Sequence, residues 1–234
     1  MTESADATGG NRLQAVLFDM DGTLVDTERF WIEAEYELVA AHGGSWSDAQ
    51  AHALVGRALL DSAVYIRDHG PVPLTPPEIV DELLVRVIDA ARHDAPLRPG
   101  VHDLLSRLRA AGVPRAMVTM SYENLARTVA DQLGPGAFDV IVAGDQVDYG
   151  KPHPEPYLTA AARLGVDPTR CVAIEDSPPG IASAHAAGCV VLAVPNEVPI
   201  LPAPTHTIVE TLTGVEIEYL NRLVLESGPS RDPR

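Results

Sequence analysis

Cysteine is scarce in this sequence: Cys171 and Cys189 are the only two among 234 residues, and they form no C-x-x-C pattern. That excludes a disulfide framework and a cysteine-based zinc site, and each residue opens a β-branched apolar run that suits a reduced core thiol. Positive charge is scarce too. Seventeen Lys and Arg face 33 Asp and Glu, a formal net charge of −16, so no broad basic surface exists for nucleic-acid phosphates or an anionic membrane. The same charge repels a phosphorylated metabolite, so a site for one must supply local positive charge from a metal, a Lys or an Arg. There is no run of about 18 apolar residues to cross a bilayer. Met1 to Asn11 lacks the charged-then-apolar layout of a signal segment, and a cytoplasmic location is expected. Internal repeats and low-complexity tracts are also missing.

What is present is a globular composition, 46% apolar and 21% charged, over a length that suits one ordinary domain or a core with a modest insertion. Short apolar runs read as buried strands at Leu13 to Asp19, Arg115 to Thr119, Phe138 to Ala143, Cys171 to Ile174 and Cys189 to Val194. Helical patterns lie between them at Val101 to Ala111, Tyr122 to Leu133, Glu155 to Leu164 and Pro179 to Ala187. This alternation predicts an α/β core with a parallel sheet covered on both faces. The stretch from Glu28 to Pro96 breaks the rhythm with three helical patterns, Glu28 to His42, Ser47 to Asp68 and Pro76 to His93, and no strand. It reads as a small all-helical cap domain inserted after the first strand, with hinges near Asp26 to Glu28 and Asp94 to Pro99. The predicted organisation is a tail over 1–11, a core over 12–27 and 97–225, a cap over 28–96 and a polar tail over 226–234.

The chemistry starts at Phe18-Asp19-Met20-Asp21-Gly22-Thr23. In an extended strand Asp19 and Asp21 share a face at the carboxyl end of the sheet, where open α/β folds place ligands. Two carboxylates so close together repel, and a divalent cation between them or a proton on one relieves the repulsion. The plain alternative is a strand-end turn built from Asp and Gly.

Asp19-Met20-Asp21-Gly22-Thr23 resembles the first motif of the haloacid dehalogenase superfamily, in its phosphatase and phosphomutase branch. Met117-Val118-Thr119, Gly150-Lys151-Pro152-His153-Pro154 and Ile174-Glu175-Asp176-Ser177 resemble the second, third and fourth motifs in the proper order. The specificity lies in the ordered set, which spans Leu13 to about Val194. The resemblance implies a Rossmann-like three-layer core and an aspartyl-phosphate mechanism. Asp19 is then the nucleophile and Asp21 the general acid and base. Gly22 permits the backbone turn, and Gly22, Met120 and Ser121 join the phosphate-binding set. Thr119 hydrogen-bonds a phosphoryl oxygen, and Lys151 pairs with phosphate and Asp19. Magnesium is held by Asp19, the main-chain carbonyl of Asp21, and Asp176, with Glu175 bound directly or through water. Taken singly, Thr119 also reads as a helix cap, Lys151 as a surface lysine, and Glu175 and Asp176 as helix N-terminal charges.

The insertion is similar to the cap of the beta-phosphoglucomutase-like subfamily, and Leu54-Val55-Gly56-Arg57 looks like its substrate-facing loop, with Arg57 placed to contact a polar or anionic group. Leu59 stands where such mutases carry an Arg, and Tyr122 where they carry a Lys, so the second phosphate clamp a mutase needs is not evident. The 28–96 stretch contains no Lys, which closes a Schiff-base phosphonate route. The expected activity is magnesium-dependent hydrolysis of a small phosphorylated metabolite, with a sugar phosphate among the candidates. A sugar phosphomutase, or a catalytically silent phosphometabolite-binding or signalling module, remains open. No nucleic acid or membrane partner is expected, and a monomer is compatible with the sequence.

Overall fold

The computed structural model describes residues 12–93 and 95–227. Among them six strands form one parallel sheet in the order β3-β2-β1-β4-β5-β6: β1 Ala15–Phe18, β2 Arg115–Val118, β3 Val140–Val142, β4 Cys171–Glu175, β5 Val190–Ala193 and β6 Thr207–Ile208. Side chains alternate across each strand, and the sequence fills both faces with apolar groups. Ala15, Leu17, Ala116, Val118, Cys171 and Ala173 pack with Tyr157 and Ala160 of α7 (Glu155–Leu164) and Ile181 and Ala184 of α8 (Pro178–Ala186). Val16, Phe18, Met117, Val172 and Ile174 face the opposite layer, made by α5 (Val101–Ala110), α6 (Glu123–Gln132) and α9 (Ile217–Ser227). Both cysteines are buried and unbridged.

Between β1 and α5 lie four helices and no named strand: α1 Glu28–Ala41, α2 Asp48–His52, α3 Leu59–His69 and α4 Pro76–His93. Helix α4 packs on α1, α3 and α6, and the apolar residues of this helical stretch are continuous with those of one sheet face.

The expected helix from Ser47 to Asp68 is corrected to two. Ser47 starts α2 with a reciprocal capping box to Gln50, but Gly56, at φ +75°, takes the chain out of helical geometry before α3 begins. The strand β6 and helix α9 were absent from the sequence reading; β6 is a two-residue edge strand, too short to leave a periodic signal. The polar tail assigned from 226 is also corrected, since Glu226 and Ser227 close α9. The tails assigned to 1–11 and 228–234, and Asp94 in the second hinge, lie outside the described residues.

Candidate active site

The site assembles because the strands end in register. Phe18 pairs with Met117 on one side and Ile174 on the other, so the next residues of β1, β2 and β4 emerge together at the carboxyl edge. The Asp19 N–H donates to the Ile174 carbonyl at 3.0 Å and the Thr119 N–H to the Val142 carbonyl at 2.9 Å, extending the ladder by one residue. Strand β1 sits where the strand order changes direction, and this leaves a crevice beyond its end. Lys151 enters from the loop before α7. Its Nζ donates to Asp19 Oδ1 at 2.6 Å, Glu175 Oε1 at 2.6 Å and the Val118 carbonyl at 3.0 Å, which uses all three ammonium protons. Glu175 Oε1 also accepts from the Tyr157 hydroxyl at 2.6 Å, and Oε2 from Ser177 Oγ at 3.2 Å. A side chain at Gly180 would start 2.0 Å from the Glu175 carboxylate, so a glycine is required there for Glu175 to fold back onto Lys151.

Asp21 departs from the extended geometry expected of it. The strand stops at Phe18, and the N–H groups of Thr23, Leu24 and Val25 converge on the Met20 carbonyl in a tight turn. Gly22 enters that turn at φ +83°, and a Cβ on it would lie 2.0 Å from Asp176 Oδ2. The turn swings the Asp21 carboxylate into a socket of four donors. Thr27 Oγ1 at 2.6 Å and Trp31 Nε1 at 3.1 Å donate to Oδ1; Ser121 Oγ at 2.7 Å and Thr119 Oγ1 at 3.1 Å donate to Oδ2. The correction has a simple cause: four hydrogen bonds, two from nearby in sequence and two from the loop after β2, outweigh continuation of the extended backbone beyond the end of β1.

Asp19, Glu175 and Asp176 are buried, and one carboxylate oxygen from each lies within 4.8 Å of the others. Burial pushes the Asp19 carboxyl up to about 7, with Glu175 and Asp21 adding to the rise against the pull of Lys151. Asp176 is raised by burial and then by Asp19 and Glu175. Burial alone would depress Lys151, but Asp19 and Glu175 more than reverse this and hold its ammonium charged. Asp19 Oδ2 is buried without a hydrogen-bond donor. An orphaned carboxylate oxygen beside a second acid whose charge lacks compensation is a donor set that suits a hard divalent cation, and the cluster could hold one.

Asp19, Asp21, Met120, Ser121, Lys151 and Asp176 line one cleft, closed on its other side by α1, the 54–57 loop and α3. Met120 lies over Lys151, whose N–H donates to its Sδ at 3.1 Å. Arg57 is exposed on the rim, and Gly56 packs against Ser177. Thr119 and Glu175 sit one layer behind the cleft wall, holding Asp21 and Lys151. Six contributors escaped the sequence reading: Thr27, Trp31, Tyr157, Glu28, Glu35 and Ser62. The available signal was on α1, where Glu28, Trp31 and Glu35 occupy the face that also carries Leu38, a position where a carboxylate needs a reason.

The fold is thus a parallel α/β sheet that gathers an acidic cluster and a lysine at its carboxyl edge. The chain belongs to the haloacid dehalogenase-like hydrolase family, whose model matches residues 13–188. It is 32% identical over 190 residues to hexitol phosphatase B of Escherichia coli (strain K12), covering 79% of this chain and 84% of the relative. It is 33% identical over 193 residues to the bifunctional riboflavin kinase/FMN phosphatase of Arabidopsis thaliana, covering 82% of this chain but spanning only about half, 50%, of that protein. A crystal structure of CbbY from Rhodobacter sphaeroides in complex with phosphate matches with a TM-score of 0.78 at 29% identity, covering 86% of this chain and 96% of the other. No helix among the described residues is long and apolar enough to cross a membrane.

Proposed function

We propose that this protein is a magnesium-dependent phosphomonoester hydrolase acting on a small phosphorylated metabolite, with 12–27 and 97–225 as the catalytic core and 28–96 as a cap over the site. The observation that carries the reading is Asp19 itself: one oxygen is held by Lys151 at 2.6 Å, and the other is buried and unclaimed beside Asp176. Relatives named as phosphatases, and a similar structure holding phosphate, support it.

In the first step an Asp19 oxygen forms a bond to phosphorus while the bond from phosphorus to the alcohol oxygen breaks, and Asp21 gives its proton to that oxygen. In the second, Asp21 takes a proton from water, the water oxygen bonds to phosphorus, and Asp19 is released with inorganic phosphate. Lys151 keeps Asp19 oriented and pairs with the phosphate charge, while Thr119 and Ser121 turn from Asp21 to the phosphoryl oxygens as Asp21 moves. Magnesium, when bound by Asp19, Asp176 and the Asp21 carbonyl, with Glu175 binding directly or through water, supplies the positive charge that offsets repulsion between carboxylate and phosphate. Gly22 and Met120 complete the floor, and Arg57 reaches the substrate from the rim. Leu59 lines the cleft where a mutase would place a cation, which favours hydrolysis over phosphoryl exchange. Release of nitrophenol from para-nitrophenyl phosphate should require magnesium and vanish in Asp19→Asn. Equal release by wild type and variant, or none from either, would refute the reading.

A further inference from the structure

Helix α1 carries two buried carboxyl groups into the cleft that the proposed reaction does not use. Glu28 and Glu35 are seven residues apart, so they lie on one face about 10 Å apart along the axis, with Trp31 between them. Glu28 is 6% exposed and accepts no hydrogen bond from any described residue; Glu35 is 5% exposed and accepts one, from Trp46 Nε1 to Oε2 at 3.0 Å, which leaves Oε1 unclaimed. Across from them on α3 the Ser62 hydroxyl, on a residue 5% exposed, also lines the cleft without a hydrogen-bond partner among the described residues. Three mostly buried side chains carry oxygens that take no partner from the described residues and are not sealed from solvent; they present open hydrogen-bonding capacity to one space, and this points to donors arriving with a ligand.

Charge narrows the ligand class. Lys151 is consumed by Asp19 and Glu175, and Arg57 stands exposed on the rim, so the inner wall offers carboxyl oxygens and a hydroxyl among Leu59 and Leu83. A second phosphate or a carboxylate brought there would meet acids rather than a cation. Burial pushes the Glu35 carboxyl up to about 8, so near neutrality it can both accept and donate. We propose that Glu28, Glu35 and Ser62 form the subsite that reads the alcohol half of the phosphoester, accepting a group rich in hydroxyl or ammonium donors and rejecting a second negative charge. This rests on the phosphatase reading for the placement of the phosphate at Asp19.

The test compares kcat/KM of the full chain with magnesium on glucitol 6-phosphate and glucosamine 6-phosphate against 6-phosphogluconate and fructose 1,6-bisphosphate. The donor-rich, singly phosphorylated esters should be preferred by about tenfold or more. Glu35→Gln retains an acceptor for Trp46 and should shrink that ratio at least about threefold, through KM rather than kcat; Ser62→Ala should raise KM for glucitol 6-phosphate by about two- to tenfold. The proposal is overturned if the wild type shows no preference, or if both variants change all four esters by one common factor, as a purely structural role would. Should no ester be turned over, para-nitrophenyl phosphate included, the phosphatase reading fails by itself. Calorimetric Kd values for the same four ligands then decide the subsite: the same order upholds it, and equal or undetectable binding overturns it.

Discussion

The two walls of the cleft treat their polar side chains in opposite ways. On the strand-end wall Lys151, Glu175 and Asp21 have their hydrogen-bonding capacity filled by the protein, Asp21 by four donors and Lys151 by three acceptors. On the helical wall Glu28, Ser62 and one oxygen of Glu35 have none. A group that must hold a fixed geometry through a reaction is pre-organised by neighbours, while a group that waits for a ligand is left unsatisfied. Two residues of the strand-end wall depart from its pattern: Asp19 has one oxygen held and the other free, and Asp176 accepts no hydrogen bond from any described residue.

The sharpest way to break this contrast is to remove the nucleophile. Asp19→Asn should lower kcat for phosphate release by about 10⁴-fold or more, and retention of more than a tenth of the activity would place the reacting oxygen elsewhere. Next in size, Lys151→Ala leaves Asp19 facing Glu175 with no cation between them. Breaking a buried pair in this way should cost about 3–5 kcal/mol in urea unfolding, partly recovered by magnesium. An unchanged unfolding midpoint would mean that the strand-end wall is not held by that ion pair.

The helical wall should report itself through pH. The raised Glu35 carboxyl keeps a proton in the folded chain that the unfolded chain gives up, so its contribution is intact below the ordinary carboxylate range and is lost as pH rises through about 8. Unfolding free energies of the metal-free protein from urea titration should therefore fall with pH across that window, by at most about 1.4 kcal/mol per pH unit for this one group, and Glu35→Gln should lessen the slope. A slope that is the same in both proteins would remove Glu35 from the account. Smaller effects belong to the Asp21 socket. Ser121→Ala should lower kcat about tenfold, since it deletes one short bond to a carboxylate that Thr119 still holds. Trp31→Phe keeps the ring and loses only the Nε1–H bond, for a fall of about fivefold. If Trp31→Phe exceeded Ser121→Ala, the orientation of Asp21 would be set from the helical wall.

Much of the strand-end wall was legible because its residues sit in short motifs at the ends of apolar runs, and a strand that stops in register delivers its next residue to a shared edge. Asp19, Glu175 and Asp176 met for that reason, and Lys151 joined them from the loop before α7. The helices Pro76–His93 and Glu155–Leu164 were read to the residue, because proline and glycine punctuate their ends. The break at Gly56 was missed because a single glycine between two apolar periodic stretches does not change the period. Tyr157 was missed because an aromatic at a helix start reads as core, and only its position over Lys151, with its hydroxyl on Glu175, reveals a second role.

What the sequence determined by itself was the alternation of strands and helices from β1 to β5 and which side chains are candidates for the site, since local periodicity and residue chemistry act over a few residues. Only the tertiary structure decided how Asp21 turns, which donors hold it, and that Glu28, Glu35 and Ser62 face the same space as Asp19. Those outcomes depend on which distant groups compete for the same hydrogen bonds and the same desolvated volume, and no stretch of chain read alone contains both competitors.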